Sequence, residues 1–88
     1  MPHWTIELDK RAGKQIIALA KKERDRVMTF LRRLADTDNP RATGKALQGR
    51  LAGYWRYRVG DYRIICQIKD GELTILAIEI DQRKDIYR

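Results

Sequence analysis

The chain has 88 residues, 43% of them hydrophobic and 35% charged, with two prolines and six glycines. That is the make-up of one small globular domain over residues 1–88, not of a disordered segment. A single cysteine, Cys66, excludes an internal disulfide. No window approaches the roughly 18 continuous apolar residues of a membrane span, and Met1-Pro2-His3-Trp4 lacks the apolar core of a signal peptide, so a cytoplasmic protein with no membrane partner is expected.

The formal charge is +7, and its distribution says more than its size. Residues 41–63 hold Arg41, Lys45, Arg50, Arg56, Arg58 and Arg63 against one acid, Asp61, so about a quarter of the chain carries +5 of the +7. Such a local excess predicts attraction to a polyanion, with nucleic acid first and an acidic protein surface second.

In chain order, Trp4-Thr5-Ile6-Glu7-Leu8 alternates and is rich in β-formers, which predicts a short first strand. Asp9 is positioned to cap a helix that starts at Lys10. Its apolar face is expected to hold Ala12, Ile16, Leu19 and Ala20, with Ile17 widening it and Gly13 weakening the helix slightly. Val27, Phe30, Leu31 and Leu34 mark a second helix that runs to about Ala35 and stops at Asp36-Thr37-Asp38-Asn39-Pro40. The pair is read as two antiparallel helices, although Lys21-Lys22-Glu23-Arg24 holds neither glycine nor proline to separate them; one long helix over 10–35 is the alternative.

Residues 41–53 read as an irregular, glycine-punctuated connection anchored by Leu47 and Leu51. From Gly53 to Arg63 the chain sets three arginines among four aromatic rings around Gly60-Asp61. Alternation on both sides of that pair predicts two strands joined by a two-residue turn, glycine supplying the positive φ. Counting outward pairs Val59 with Tyr62, Arg58 with Arg63, Tyr57 with Ile64 and Arg56 with Ile65, which puts Arg56, Arg58 and Arg63 on one face and Trp55, Tyr57 and Val59 on the other. Like charges directly opposite destabilise a sheet, and folding offers no reward for Arg58 against Arg63, whereas a bound anion does.

Asp70-Gly71 is read as a second two-residue turn, between a strand ending at Lys69 and one starting at Glu72. That register sets Thr74, Leu76 and Ile78 beside Gln67, Ile65 and Arg63, and puts Leu73, Ile75 and Ala77 on the core face with Ile64, Cys66 and Ile68. The arginine face then carries an apolar patch of Ile65, Leu76 and Ile78 fit for a partner protein. The order β-α-α-β-β-β defines an α+β domain with two N-terminal helices packed on an antiparallel sheet. Cys66 lies in an apolar run and reads as a small buried hydrophobe.

The chain shows no Gly-rich phosphate loop, no paired Cys or His at metal spacing and no Cys/His nucleophile pair, so chemistry on a phosphate falls to other groups. Arginine pairs bidentately with phosphate oxygens and stays charged, which makes it a good binder and a poor base. Arg83 and Tyr87 follow the last strand, and neighbouring cations make a tyrosine phenolate more accessible.

Leu47-Gln48-Gly49, Tyr54-Trp55-Arg56-Tyr57-Arg58-Val59-Gly60-Asp61-Tyr62-Arg63-Ile64-Ile65, Ile80-Asp81-Gln82-Arg83 and Ile86-Tyr87 together resemble the RelE/ParE toxin superfamily over most of the chain. The resemblance implies a RelE-like fold and the toxin of a type II toxin-antitoxin module. It further implies a ribosome-dependent endoribonuclease that cuts mRNA in the A site of the 70S ribosome by 2′-hydroxyl attack, without metal or other cofactor. A RelB-like cognate antitoxin and, through the toxin-antitoxin complex, operator DNA are the implied partners. By position, Arg63 matches the family's phosphate-binding arginine, Arg83 its second arginine, both expected to stabilise the charge developing on the phosphate, and Tyr87 its acid/base or stacking tyrosine. Arg56 and Arg58 match its two basic hairpin residues; with Arg50 and Lys45 from the basic segment they are expected to bind RNA. Arginines stand where the best-known members have lysines, and Asp81-Gln82-Arg83 stands where many relatives carry Gly-His-Arg, which removes a histidine catalyst. A ParE-like inhibitor of DNA gyrase and a non-catalytic nucleic-acid-binding module are the alternatives.

Overall fold

The computed structural model describes residues 3–82. Strand β1 (Thr5–Leu8) leads into helices α1 (Lys10–Ala18) and α2 (Lys21–Ala35), followed by β2 (Lys45–Ala46), β3 (Trp55–Val59), β4 (Tyr62–Lys69) and β5 (Thr74–Gln82). The strands form one sheet in the order β1-β5-β4-β3-β2. The α+β class and the two helices agree with the sequence reading. The sheet is mixed, however: β1 pairs in parallel with β5, Thr5 opposite Thr74, and the two-residue β2 adds an edge strand that the glycine-rich composition of 41–53 conceals.

Asp9 caps α1 as expected, its carboxylate accepting the Ala12 N–H at 2.9 Å. The break between the helices is made without glycine or proline. Leu19 and Ala20 are both extended, with ψ of 151 and 153, and the Arg24 guanidinium reaches back to the Leu19 carbonyl at 3.4 Å, serving one of the carbonyls that the end of α1 leaves over. Because α1 ends at Ala18, only Ala12 and Ile16 are buried from it. Ile17 is rotated off that face and is 74% exposed, and Ala20 is an exposed helix cap; neither joins the core as expected.

Helix α2 buries Val27, Leu31 and Leu34 against the sheet residues Tyr57, Ile64, Cys66, Ile75, Ala77 and Ile80, with Trp4 closing one end. Full burial of a side chain such as Leu31 or Ile64 contributes about 1.5–3 kcal/mol. Leu51 is exposed on a 3-10 turn (Gly49–Leu51) and anchors nothing, whereas Leu47 is half-buried.

The hairpin of β3 and β4 has the anticipated register, Val59 opposite Tyr62 through Arg56 opposite Ile65, around Gly60 at φ 58. The β4/β5 connection differs from the reading. Asp70–Glu72 forms a 3-10 turn and Leu73 takes a left-handed φ of 49, so four residues, not two, separate Lys69 from its partner Thr74. Arg41 holds this turn with two hydrogen bonds of 2.9 Å to Asp70, and that interaction keeps the Asp70 carboxyl below the ordinary carboxylate range.

The longer loop slides the register by two residues, which preserves the faces of Ile75 and Ala77 but leaves Leu73 exposed. An irregularity between Ile65 and Cys66 then shifts it again: Cys66 pairs with Ala77 but Ile65 pairs with Glu79. Beyond the end of β1, the Ile80 N–H is satisfied by the Gln15 side-chain oxygen at 2.7 Å. The net effect is that Arg63 lies opposite Asp81, not Ile78.

Candidate nucleic-acid interface

Strand alternation puts Arg56, Arg58 and Arg63 on the sheet face away from the buried Tyr57 and Ile64. The Leu47 N–H donates to the Tyr54 carbonyl at 3.0 Å, so Tyr54, Arg56 and Arg58 aim their backbone groups toward β2. Arg58 and Arg63 are therefore a non-hydrogen-bonded pair, the geometry in which opposite side chains stand closest, with Cα atoms roughly 4.5 Å apart.

The cost of that pairing is met in part by a residue the sequence reading overlooked. Nη2 of Arg63 donates to Oδ2 of Asp81, its partner on β5. Arg63 is thus centred in a row of three charged residues, Arg58, Arg63 and Asp81, across three adjacent strands. Its buried Nε has no hydrogen-bond partner among the described residues. No local signal in the sequence marks Asp81: it reaches Arg63 only because the Asp70–Leu73 loop takes four residues and β5 then carries one extra residue.

Lys45 is the Cα partner of Arg56, so the short β2 delivers a second cation to the edge of β3. Lys45, Arg56 and Arg58 line a cleft of about 270 Å³ together with Phe30, Thr43, Gly44 and Tyr57. Its wall is held by the Trp55 indole N–H, which donates to the Thr43 carbonyl at 2.8 Å, and by Tyr57, whose hydroxyl donates to the Pro40 carbonyl. Phe30 packs on Tyr57 with ring centroids 5.4 Å apart. Arg50 lies in a separate cleft of about 570 Å³ with Gln48, Leu51 and Glu79.

Among the described residues, Lys45, Arg50, Arg56 and Arg58 have no ion-pair partner, while Arg63 has Asp81. The structure therefore brings Lys45, Arg56, Arg58 and Arg63 together and leaves Arg50 to one side. Arg83 and Tyr87 lie outside the described residues. The expected apolar patch is not formed: Ile65 is 6% exposed, Leu76 lies opposite Gln67, and Leu76 and Ile78 are half-buried. Among the described residues no cluster of three or more His, Cys, Asp or Glu side chains could hold a metal ion, and no helix is long and apolar enough to cross a membrane.

A two-helix α+β domain of this topology has clear counterparts. The family model described as the ParE toxin of the type II toxin-antitoxin system parDE matches residues 6–87. Toxin RelG of Mycobacterium tuberculosis is 41% identical over 49 residues, 56% of this chain and 56% of RelG. Toxin RelE of the same organism is 39% identical over 51 residues, 58% of this chain and 53% of RelE, so each match spans about half the length of the curated relative. Among solved structures, the RelBE2 toxin-antitoxin complex from Mycobacterium tuberculosis contains a chain similar at TM-score 0.73 and 27% identity, with 94% of both chains covered. The isolated E. coli RelE toxin shares the fold at TM-score 0.74 and 19% identity, over 96% of this chain and 90% of that one. The chain belongs to the RelE/ParE toxin superfamily of type II toxin-antitoxin systems.

Proposed function

We propose that this protein is the toxin of a type II toxin-antitoxin pair and cleaves mRNA in the ribosomal A site. The observation that carries the reading is the placement of Arg56, Arg58 and Arg63 on one sheet face, with Lys45 beside them, where sheet stability alone disfavours the arrangement. The 2′-hydroxyl of a ribose attacks the adjacent phosphate, and a 2′,3′-cyclic phosphate and a 5′-hydroxyl result. Arg63, with Arg83, stabilises the charge that develops on the phosphorus oxygens, the kind of interaction worth ~3 kcal/mol per donor. Arg56, Arg58, Lys45 and Arg50 position the RNA backbone, and Tyr87 stacks on a base or moves a proton.

A cognate antitoxin is the proposed partner, supported by the solved relatives that are RelB-RelE or RelBE complexes, and operator DNA is reached through that complex. Primer extension on cellular mRNA after brief induction tests the reading. Cuts inside translated codons that vanish when translation is blocked are expected; their absence overturns it. The family description also names ParE, so gyrase inhibition is the second reading, and loss of supercoiling activity without mRNA cuts favours it.

A further inference from the structure

We propose that Asp81 accepts the proton of the attacking 2′-hydroxyl, an assignment that rests on the ribonuclease reading above. The arginine face binds phosphate well but needs a base, because a guanidinium stays protonated at every useful pH. Asp81 is a carboxylate built into that face. It lies directly opposite Arg63, which lies opposite Arg58, so the three residues span three neighbouring strands spaced roughly 5 Å apart.

The ion pair with Arg63 uses Oδ2 and leaves Oδ1 without a hydrogen-bond partner among the described residues. The Asp81 side chain is 44% exposed against 24% for Arg63, so the carboxylate is the more open end of the pair. Charged groups facing it are Arg63 on β4, Arg58 beyond it on β3, and Glu79 two residues earlier on β5. Glu79 is a weaker candidate: it stands 3.9 Å from Arg11 and lines the Arg50 cleft.

A phosphate held between Arg58 and Arg63 puts the preceding ribose within reach of Oδ1. The carboxylate takes the 2′-hydroxyl proton as the 2′-oxygen bonds to phosphorus and the bond from phosphorus to the 5′-oxygen breaks. The leaving 5′-oxygen takes a proton from water, and Asp81 returns its proton to solvent. Charges balance with no redox partner.

The test compares wild type, Asp81→Asn, Asp81→Glu and Asp81→Ala on ribosome-bound mRNA in single-turnover reactions at neutral pH. Asparagine can still accept a hydrogen bond from Arg63 but is not basic. A loss of about 100-fold or more is expected, with ribosome binding and the thermal melt unchanged. Glutamate restores part of the rate, and added formate rescues the alanine variant. An Asp81→Asn rate within a few-fold of wild type, or above it because Arg63 is released, makes Asp81 a counter-ion only and overturns the assignment. A wild-type protein that cuts nothing overturns the ribonuclease reading itself, and this assignment with it.

Discussion

Arg58 and Arg63 face each other at a non-hydrogen-bonded position of the β3/β4 ladder, and among the described residues only Arg63 has a carboxylate to answer it. The two arginines therefore differ in kind: one is fixed and partly neutralised, the other exposed and unpaired among the described residues. Arg63→Ala is expected to lower cleavage of ribosome-bound mRNA by about 10²–10³-fold in the single-turnover rate, the cost of removing one preorganised donor. Arg58→Ala is expected to weaken RNA binding and to reduce the slope of log K against log salt by about 0.7, one phosphate contact on a single strand. An Arg63→Ala variant of near-wild-type rate would sink the site assignment.

Gly44 sets the position of Lys45. It sits at φ +79, and a Cβ there would lie 2.5 Å from the Arg56 carbonyl oxygen and 2.5 Å from the Trp55 indole nitrogen. Gly44→Ala should destabilise the fold by at least the roughly 1–2 kcal/mol of left-handed strain and should pry β2 from β3. Gly53→Ala is the control: φ is +94 there, but nothing lies within 4 Å of the added carbon, so only strain applies. Urea unfolding measures both. Equal losses for the two variants would show that the close approach of Gly44 to β3 does not matter.

Tyr57 ties the connection before β2 to the core, its hydroxyl donating to the buried Pro40 carbonyl. Tyr57→Phe keeps the packing on Phe30 and strands that carbonyl, so a loss of about 1–3 kcal/mol is expected, with the denaturant m-value unchanged. A neutral result in urea would remove this hydrogen bond from the account of how the 270 Å³ cleft is held open.

Stability should fall in alkali. Burial pushes the Cys66 thiol up to about 12, and burial also raises the Tyr57 phenol. Both folded-state values lie above those of the unfolded chain, so the stabilisation is complete below the unfolded thiol value near ~8.5 and is lost as pH climbs toward the folded one. From pH ~8.5 upward the thiol's contribution steepens, from about 0.7 toward a limiting slope of about 1.4 kcal/mol per pH unit by pH ~10. Urea midpoints for wild type and Cys66→Ala across that range check this: the variant should lose that part of the slope, and two parallel profiles would contradict it.

How far the sequence could be read depended on how local each signal was. The Asp9 cap, both helices and the Gly60 hairpin rest on residues close in sequence, and all were legible. The face shared by Arg56, Arg58 and Arg63 followed from the hairpin register alone. The partner of Arg63 depended instead on the Asp70–Leu73 loop and the irregularity at Ile65/Cys66, and neither has a distinctive local pattern. Asp70-Gly71 carries the composition of a two-residue turn, but Arg41, distant in sequence, binds Asp70 in a 3-10 turn and Leu73 takes a conformation that leucine disfavours. Ile17 misled for a related reason: its helical spacing is sound, but α1 is too short to turn a wider face inward.

The parallel pairing of β1 with β5 bears on timing. Thr5 finds its ladder partner only in Thr74, and β5 lies between the first strand of the chain and the hairpin. Contacts this distant in sequence form slowly, after local ones such as the β3/β4 turn. Two hairpins, β3/β4 and β4/β5, therefore bring Arg58, Arg63 and Asp81 into one row before β1 finds its place. The row of charges is assembled from neighbours in sequence, and the strand that opens the chain is the last to close the sheet.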